Sequence, residues 1–556
     1  MNGYITSWTD ENIELIKTHP YYAKKLEAIK SQAEEYLKTE PGRIKFSDMH
    51  LFVTTGNRST YEGVYFDYCS RMRCYALMYH LYKDERFIMP LADVIWNLCD
   101  LETWGLPAHV REHIDIDNRR CWLELCSTNL GSDFGEVLIM AGDVLPELVV
   151  RRVKAQVRER VIEGYKKYDF SWKRVKSNWG AVCIAGVLGS YLYFATKEEI
   201  EEQLPSMMQT ALLYLEGFDA DGCCMEGYGY WAYGFRYFCK FADLILNYTD
   251  GKTNLFEIPM VHKVAKFQEN CAINETQCVR FSDCQGNFRP NPPLAHFIKN
   301  IYSDVQLPPI PPVTSKENDI RSLVWLDHKF EHSQMDELKS TIFHEAQWFI
   351  YRSKNYNFVC KAGHNREPHN HNDVGSFMIS KGGRITFTDP GGGDYTRQYF
   401  SEERYTILEP SSRGHSVPII NGIYETTKPD KSVIYVEKEN EYAFSMENAY
   451  DIPTLKSLKR HFVCEDDTVI MTDSYEFNET PESVVERFVS LVEPSSLEDG
   501  KIKVGESTLL YDPTLFDFEM TTDTCVRKQN VRETLYIFDL KAKNLEKEMK
   551  LQVKFI

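Results

Sequence analysis

The segment His364-Asn365-Arg366-Glu367-Pro368-His369-Asn370-His371-Asn372-Asp373 places three of the chain's fifteen histidines within eight residues, with an aspartate close behind. Imidazoles and carboxylates are costly to bury unpaired and gain nothing from crowding on a surface. Their concentration predicts a site that moves protons, holds a metal ion, or does both. His369, His371 and Asp373 alternate, so on a strand all three would face one way. Asp389 follows on the expected return strand of a hairpin turning at Lys381-Gly382-Gly383, and His415 offers a further nitrogen. Two imidazoles and a carboxylate suit zinc and leave one position for water. The plainer alternative is a polar loop that happens to hold several histidines. Zinc hydrolases with an HxHxDH pattern want another histidine after the aspartate, where Val374 stands.

Two further clusters precede it. Ser177-Asn178-Trp179-Gly180 comes just before an apolar run from Ala181 to Tyr193, where Asn178 could cap a helix. Asp219-Ala220-Asp221-Gly222-Cys223-Cys224-Met225-Glu226-Gly227-Tyr228-Gly229-Tyr230-Trp231-Ala232-Tyr233-Gly234 begins as an Asp-Gly turn and then interleaves aromatics with glycine. Four aromatics could simply be core. Glycine between tyrosines builds a poor helix, however, which points to a functional reason for the pattern.

The elements that must position these residues fall into two halves. From residue 10 to about 300, apolar side chains recur at helical spacing, as in Tyr22, Leu26, Ile29, Ala33 and Leu37, and a long amphipathic stretch runs from Phe134 to Ile162. The basic run Arg151 to Arg160 reads as a solvated helix face. The Pro-rich stretch Leu307-Pro308-Pro309-Ile310-Pro311-Pro312 is a stiff connector, near 303–319. Beyond about 340 the segments 347–352, 357–360, 432–436 and 468–472 are short, β-branched and aromatic, separated by Gly, Asn and Asp. The fold class is therefore α+β: an all-α domain over 1–330, then an antiparallel β-sandwich over 331–556 that carries the histidines.

Taken in order, these clusters resemble the heparinase II/III family of polysaccharide lyases. The resemblance rests on the Asn-Trp segment at Asn178, the aromatic segment from Asp221 to Gly234, the block from His369 to Gly391, and His415 ahead of Ile419-Ile420-Asn421-Gly422. It implies an incomplete (α/α) toroid followed by an antiparallel sandwich, and β-elimination of uronate-containing glycans such as heparan sulfate, chondroitin or alginate. It also implies that Asn178 hydrogen-bonds the uronate carboxylate, that a tyrosine serves as acid and possibly base, and that His369 is its partner. Tyr233 is favoured for the tyrosine, with Tyr230 one turn away on the same face. Trp179, Glu226, His364 and Arg366 would line the substrate. Trp179 stands where many such lyases have a histidine, which throws the proton transfers onto tyrosine and His369. A tyrosine acting as base near neutrality needs its pKa lowered by roughly 2–3 units, for which Arg366 or a protonated His364 would serve. His371, Asp389 and His415 resemble the zinc positions of some members, where the ion looks structural.

The formal net charge of −18 argues against nucleic acid or an anionic membrane as partner. The first residues lack a basic and apolar leader, no stretch is long enough for a membrane span, and fifteen scattered cysteines suit a reducing compartment, so a cytoplasmic protein is expected. The expected partner is an acidic oligosaccharide, and a homodimer is left open. Two other functions compete: a glycoside hydrolase using Asp221 and Glu226, and a non-catalytic protein that binds acidic glycans.

Overall fold

The computed structural model describes residues 9–110, 116–274, 276–284, 290–308, 321–331 and 339–556. Most of the expected Pro-rich connector, from residue 309 on, lies outside the described residues. The first half is helical and the second is built of antiparallel strands, as the change in periodicity predicts.

Three helices carry the site on the helical side: α1 (Leu125–Ala141), α2 (Asn178–Phe194) and α3 (Tyr228–Tyr248). From Gly180 to Tyr193 every residue of α2 is buried, as a helix apolar on all sides must be. Its small residues let it lie unusually close to α1. A β-carbon at Gly186 would stand 2.5 Å from the Thr128 carbonyl carbon, and one at Gly189 would stand 2.2 Å from the Ser132 hydroxyl. On α3, a β-carbon at Gly234 would meet that of Asn178 at 2.9 Å. The glycine-rich spacing around Tyr230 and Tyr233 therefore brings this helix against the start of α2.

The stretch from Phe134 to Ile162 is not one helix. It breaks after Ala141 at a turn leading to Pro146, which cannot continue a helix interior, and a second helix then runs from Glu147 to Val157. The basic run is not wholly a solvated face either. Arg160 is fully buried, and its guanidinium donates to the carbonyls of Cys99, Leu101 and Glu102 at the end of another helix.

The β half opens with a meander of five neighbouring antiparallel strands: β1 (Thr341–Phe343), β2 (Trp348–Arg352), β3 (Tyr356–Lys361), β4 (Phe377–Lys381) and β5 (Arg384–Phe387). Its inner face packs on an eight-stranded sheet. Phe358 meets Phe462 at 4.8 Å, Phe377 meets Phe555 at 5.2 Å, and Phe349 stacks on Tyr442 at 5.1 Å. A four-stranded sheet carries the long hairpin Phe516–Arg527 and Val531–Ala542. The helical half closes onto the meander through Trp348, whose ring is edge-on to Phe281 at 5.1 Å.

β4 and β5 form the expected tight hairpin, with Gly382 and Gly383 both at positive φ. The histidine run, by contrast, is not a strand. Residues 362–376 form an irregular connection between β3 and β4. Strand alternation therefore does not decide where its side chains point. Both ends are pinned: the Gly375 amide donates to the Lys361 carbonyl at 2.7 Å, and buried Arg460 donates to the carbonyls of Gly375 and Ser416, each at 2.8 Å.

Candidate active site

The connection between β3 and β4 turns sharply at His369, which sits in the left-handed region with φ of 57°. That conformation is costly for a residue with a β-carbon and persists only when its surroundings enforce it. Here the enforcement is visible. The imidazole stacks on Tyr230, with ring centroids 4.1 Å apart, and its Nδ1 lies 2.7 Å from Asp283 Oδ2. With Nδ1–H donated to a carboxylate, the neutral ring keeps its lone pair on Nε2, which has no hydrogen-bond partner among the described residues. This is the tautomer and aim that a general base requires.

Asp283 is the hub of the site. Its fully buried carboxylate also accepts from His371 Nε2 at 3.1 Å, from the Tyr399 hydroxyl at 2.5 Å and from the Arg404 guanidinium at 2.7 Å. Burial alone would push this carboxyl up. The donors His369 and His371 and the charge of Arg404 override it and hold the group well below the usual carboxylate range. Nothing in the sequence around Phe281-Ser282-Asp283-Cys284 singles it out. Tyr395, Tyr399 and Arg404 were not singled out either, although the alternation of aromatic and basic residues from Tyr395 to Tyr405 is a signal.

Opposite His369, Asn178 is the first residue of α2 rather than its cap. Its amide donates to Glu226 Oε2 at 3.3 Å. Glu226 is raised above the ordinary glutamate range by burial and the charge of Asp283, against the opposing pull of His369. Asn178, Glu226, Tyr230 and Pro368 line one pocket together with Lys176 and Tyr214. The Tyr230 hydroxyl is 2.9 Å from that of Tyr395, and burial together with the charge of Asp283 raises its pKa above that of a free phenol. Tyr233 lies one turn further along α3, its ring edge-on to Tyr237 at 5.4 Å, and its phenol too is raised.

The tyrosine expected to be lowered is therefore raised at both positions. The cations expected to lower it lie elsewhere. His364 pairs with Glu367 at 2.7 Å, and Arg366 is exposed. The guanidinium near Tyr230 is Arg404, whose effect burial and Asp283 outweigh. Of the two carboxylates that a hydrolase would need, Asp221 is taken up by the backbone amides of Cys223 and His344, at 3.1 and 2.9 Å, while Glu226 faces Asn178.

A second cluster lies behind His369. His371, Asp373 and His415, all fully buried, bring ligand-type atoms within 4.8 Å of one another. His371 donates Nε2–H to Asp283 and His415 donates Nε2–H to the Glu409 carbonyl at 2.8 Å, so both Nδ1 lone pairs turn inward. His415 Nδ1 is 3.1 Å from Asp389 Oδ2, an ion pair in which the charge of Asp389 raises the imidazole against its burial. His371 Nδ1, His415 Nδ1, Asp373 Oδ2 and Asp389 Oδ2 are all buried without hydrogen-bond partners. The clustered set is His371, Asp373 and His415, two nitrogens and one carboxylate of a kind that suits zinc with one position open. Asp389, expected as a ligand, is not in that cluster and instead ion-pairs with His415, while Lys361 Nζ holds the other oxygen of Asp373 at 2.6 Å. Among the described residues, then, the histidine run divides: His369 faces Tyr230, His371 and Asp373 face His415, and Asp283 touches both groups.

The model of the family Heparinase II/III-like, C-terminal matches residues 336–488. No curated protein sequence matches the chain. Among solved structures, a heparinase III (the BT4657 gene product) superposes with a TM-score of 0.62 at 12% identity, over 99% of this chain and 93% of that one. A heparan sulfate lyase from Pedobacter heparinus gives 0.58 at 12% identity, over 98% and 90%. A chondroitin AC lyase from Streptomyces coelicolor A3, solved with chondroitin sulphate, gives 0.58 at 11% identity, over 97% and 80%. Residues 336–488 thus match the heparinase II/III-like C-terminal domain, and the chain as a whole shares the fold of these lyases, an incomplete α/α toroid followed by antiparallel sheets.

Proposed function

We propose that the protein is a lyase that cleaves uronate-containing glycans by β-elimination. One observation carries the reading. An imidazole oriented by a buried carboxylate, with Nε2 free, lies face-on to a phenol kept protonated, beside an amide–carboxyl pair that can receive a uronate carboxylate. The C5 proton of a uronate becomes removable once its carboxylate is neutralised. Asn178, and the Glu226 carboxyl that burial raises above the ordinary glutamate range, would face that carboxylate. His369 Nε2 would take the C5 proton and Tyr230 would donate to the leaving C4 oxygen, and the imidazolium's proton would return to the phenolate by way of solvent, resetting both groups. A raised phenol suits the acid and not the base, so Tyr230 is the better acid and His369 the better base. The glycan-bound neighbour, a chondroitin lyase, supports an acidic glycan as substrate. All fifteen cysteines are free thiols, which fits action on imported oligosaccharides in a reducing compartment.

His371, Asp373 and His415 would hold a zinc ion, with Asp389 paired to His415. When bound, the ion would cross-link separate segments of the β half. The chemical steps themselves stay with His369 and Tyr230.

Incubation with uronate-containing oligosaccharides tests the proposal. Elimination gives products with the ultraviolet absorbance of a conjugated double bond and no added water by mass. Products that gain water without that absorbance would support the hydrolase, and binding without products would support the glycan-binding reading.

A further inference from the structure

Ser282, the residue before Asp283, is buried and holds a left-handed backbone, with φ of 61°. A residue with a β-carbon keeps that conformation only where its surroundings over-determine it, and such residues cluster at functional sites. In an extended segment residues 281 and 283 would face the same way. Phe281 packs edge-on against Trp348, and the left-handed residue between the two releases Asp283 from that direction. The carboxylate receives His369, His371, Tyr399 and Arg404 instead.

The Ser282 side chain reaches toward the helical half. Its hydroxyl donates to the Met225 carbonyl at 2.8 Å. Met225 belongs to the turn that carries Glu226 and ends at Gly227, the residue before α3. Gly227 has φ of 91°, and a β-carbon there would stand 2.5 Å from the Phe281 carbonyl oxygen. Residues 281 and 282 therefore press on the start of the helix that presents Tyr230, while Asp283 holds His369. On the far side, the Cys284 carbonyl accepts from the Gly392 amide at 3.0 Å, and a β-carbon at Gly391 would stand 2.2 Å from that oxygen. Segment 281–284 is wedged between the turn before Tyr230 and the glycines before Tyr395.

Glycine would adopt this backbone without strain but has no hydroxyl to donate. Resting on the lyase reading, we propose that Ser282 is a positioning residue for the proton transfers. Its backbone aims the Asp283 carboxylate at His369, and its hydroxyl fixes that carboxylate's segment to the turn that carries Glu226 and leads into Tyr230. The support of the base and the helix of the acid are thereby held as one unit, on which the stacking of Tyr230 with His369 depends.

The test follows ultraviolet absorbance from a uronate oligosaccharide in two variants and a double-mutant cycle. Ser282→Gly should lower kcat at least about tenfold with KM little changed, part of the roughly hundredfold that a misplacement of about 1 Å can cost. Its melting temperature should stay within a few degrees of the wild type, because the relieved backbone offsets the lost hydrogen bond. Ser282→Ala loses the hydroxyl and keeps the strain, so kcat should fall as far in a less stable protein. If Ser282→Ala does not fold, Ser282→Gly decides alone. In an Asp283→Asn background, Ser282→Gly should cost less than about twofold, since residues that act through one another are not additive. Near-normal kcat in Ser282→Gly, or a loss confined to KM, overturns the positioning role. A tenfold loss that persists in the Asp283→Asn background also overturns it, by showing that Ser282 does not act through Asp283. Wild-type protein that gives no absorbing product overturns the lyase reading, and the positioning role with it.

Discussion

Tyr230 and His369 come from opposite halves of the chain, 139 positions apart, and stack ring on ring at 4.1 Å. Each is held from behind by a different residue, Tyr230 by the hydroxyl of Tyr395 and His369 by Asp283. An acid and a base carried on separate domains need such supports, because a misplacement of about 1 Å can cost on the order of a hundredfold in rate.

Tyr230→Phe should lower kcat by at least about a hundredfold, the usual contribution of a positioned proton donor, with the protein still folded. His369→Ala should be similarly impaired. Tyr233→Phe should act mainly on KM. If Tyr233→Phe is dead and Tyr230→Phe retains near-normal turnover, the acid lies one turn further along the helix.

Asp283→Asn keeps the shape of the side chain but removes the charge that orients His369. A comparable change in a serine protease triad costs about ten-thousandfold by fixing the wrong tautomer, so a loss of about a hundredfold or more in kcat is expected here. The same change should weaken metal binding by about 10- to 100-fold, since His371 would lose its support as well. Normal turnover of Asp283→Asn would show that the carboxylate only fills space.

Stability should carry a pH signature from Glu425. Its carboxyl is completely buried and is pushed up to about 8 by burial first, with the charge of Asp373 adding to it. Oε2 accepts from Asn365 and from the Val374 amide, at 2.8 and 3.0 Å, while Oε1 has no acceptor role to fill. A carboxyl whose folded pKa lies above its unfolded value near 4.5 holds its proton more tightly when folded. Its stabilising effect is therefore complete at low pH and is lost as pH rises through the window from about 4.5 to 8. Glu425→Gln, which mimics the protonated acid, should leave the melting temperature unchanged at about pH 5 and raise it by several degrees at about pH 8.5. Thermal unfolding of both proteins across that range checks the sign, and an identical pH profile would count against it.

Periodicity was enough to locate the division between helices and sheets, and the β4–β5 hairpin at Gly382–Gly383 was readable from its turn residues. Local pattern could place Asn178 at the start of its helix and His369 in a polar run. It could not show that the run is irregular, because φ of 57° at His369 is imposed by Tyr230 and Asp283, both far away in sequence. Asp283 was invisible for the same reason. A single aspartate gains its meaning only when four donors from the sandwich converge on it. The expectation of a lowered tyrosine failed because burial and the charge of Asp283 outweigh every nearby cation, and sequence alone gives no measure of burial at Tyr230.

The last prediction concerns the ion. His371, Asp389 and His415 lie on three separate segments, and Asp373, which clusters with the two histidines, adds a further carboxylate. An ion bound there cross-links those segments only in the folded state, so its binding free energy adds to folding stability. Elemental analysis of the purified protein should find close to one zinc per chain. Chelation or His415→Ala should lower the melting temperature by several degrees. Initial rates should be largely spared, because His369 reaches the ion only indirectly, through Asp283 and His371. Full stability in metal-free protein would remove the site. Immediate and total loss of activity on chelation, before any unfolding, would place the ion in the chemistry instead.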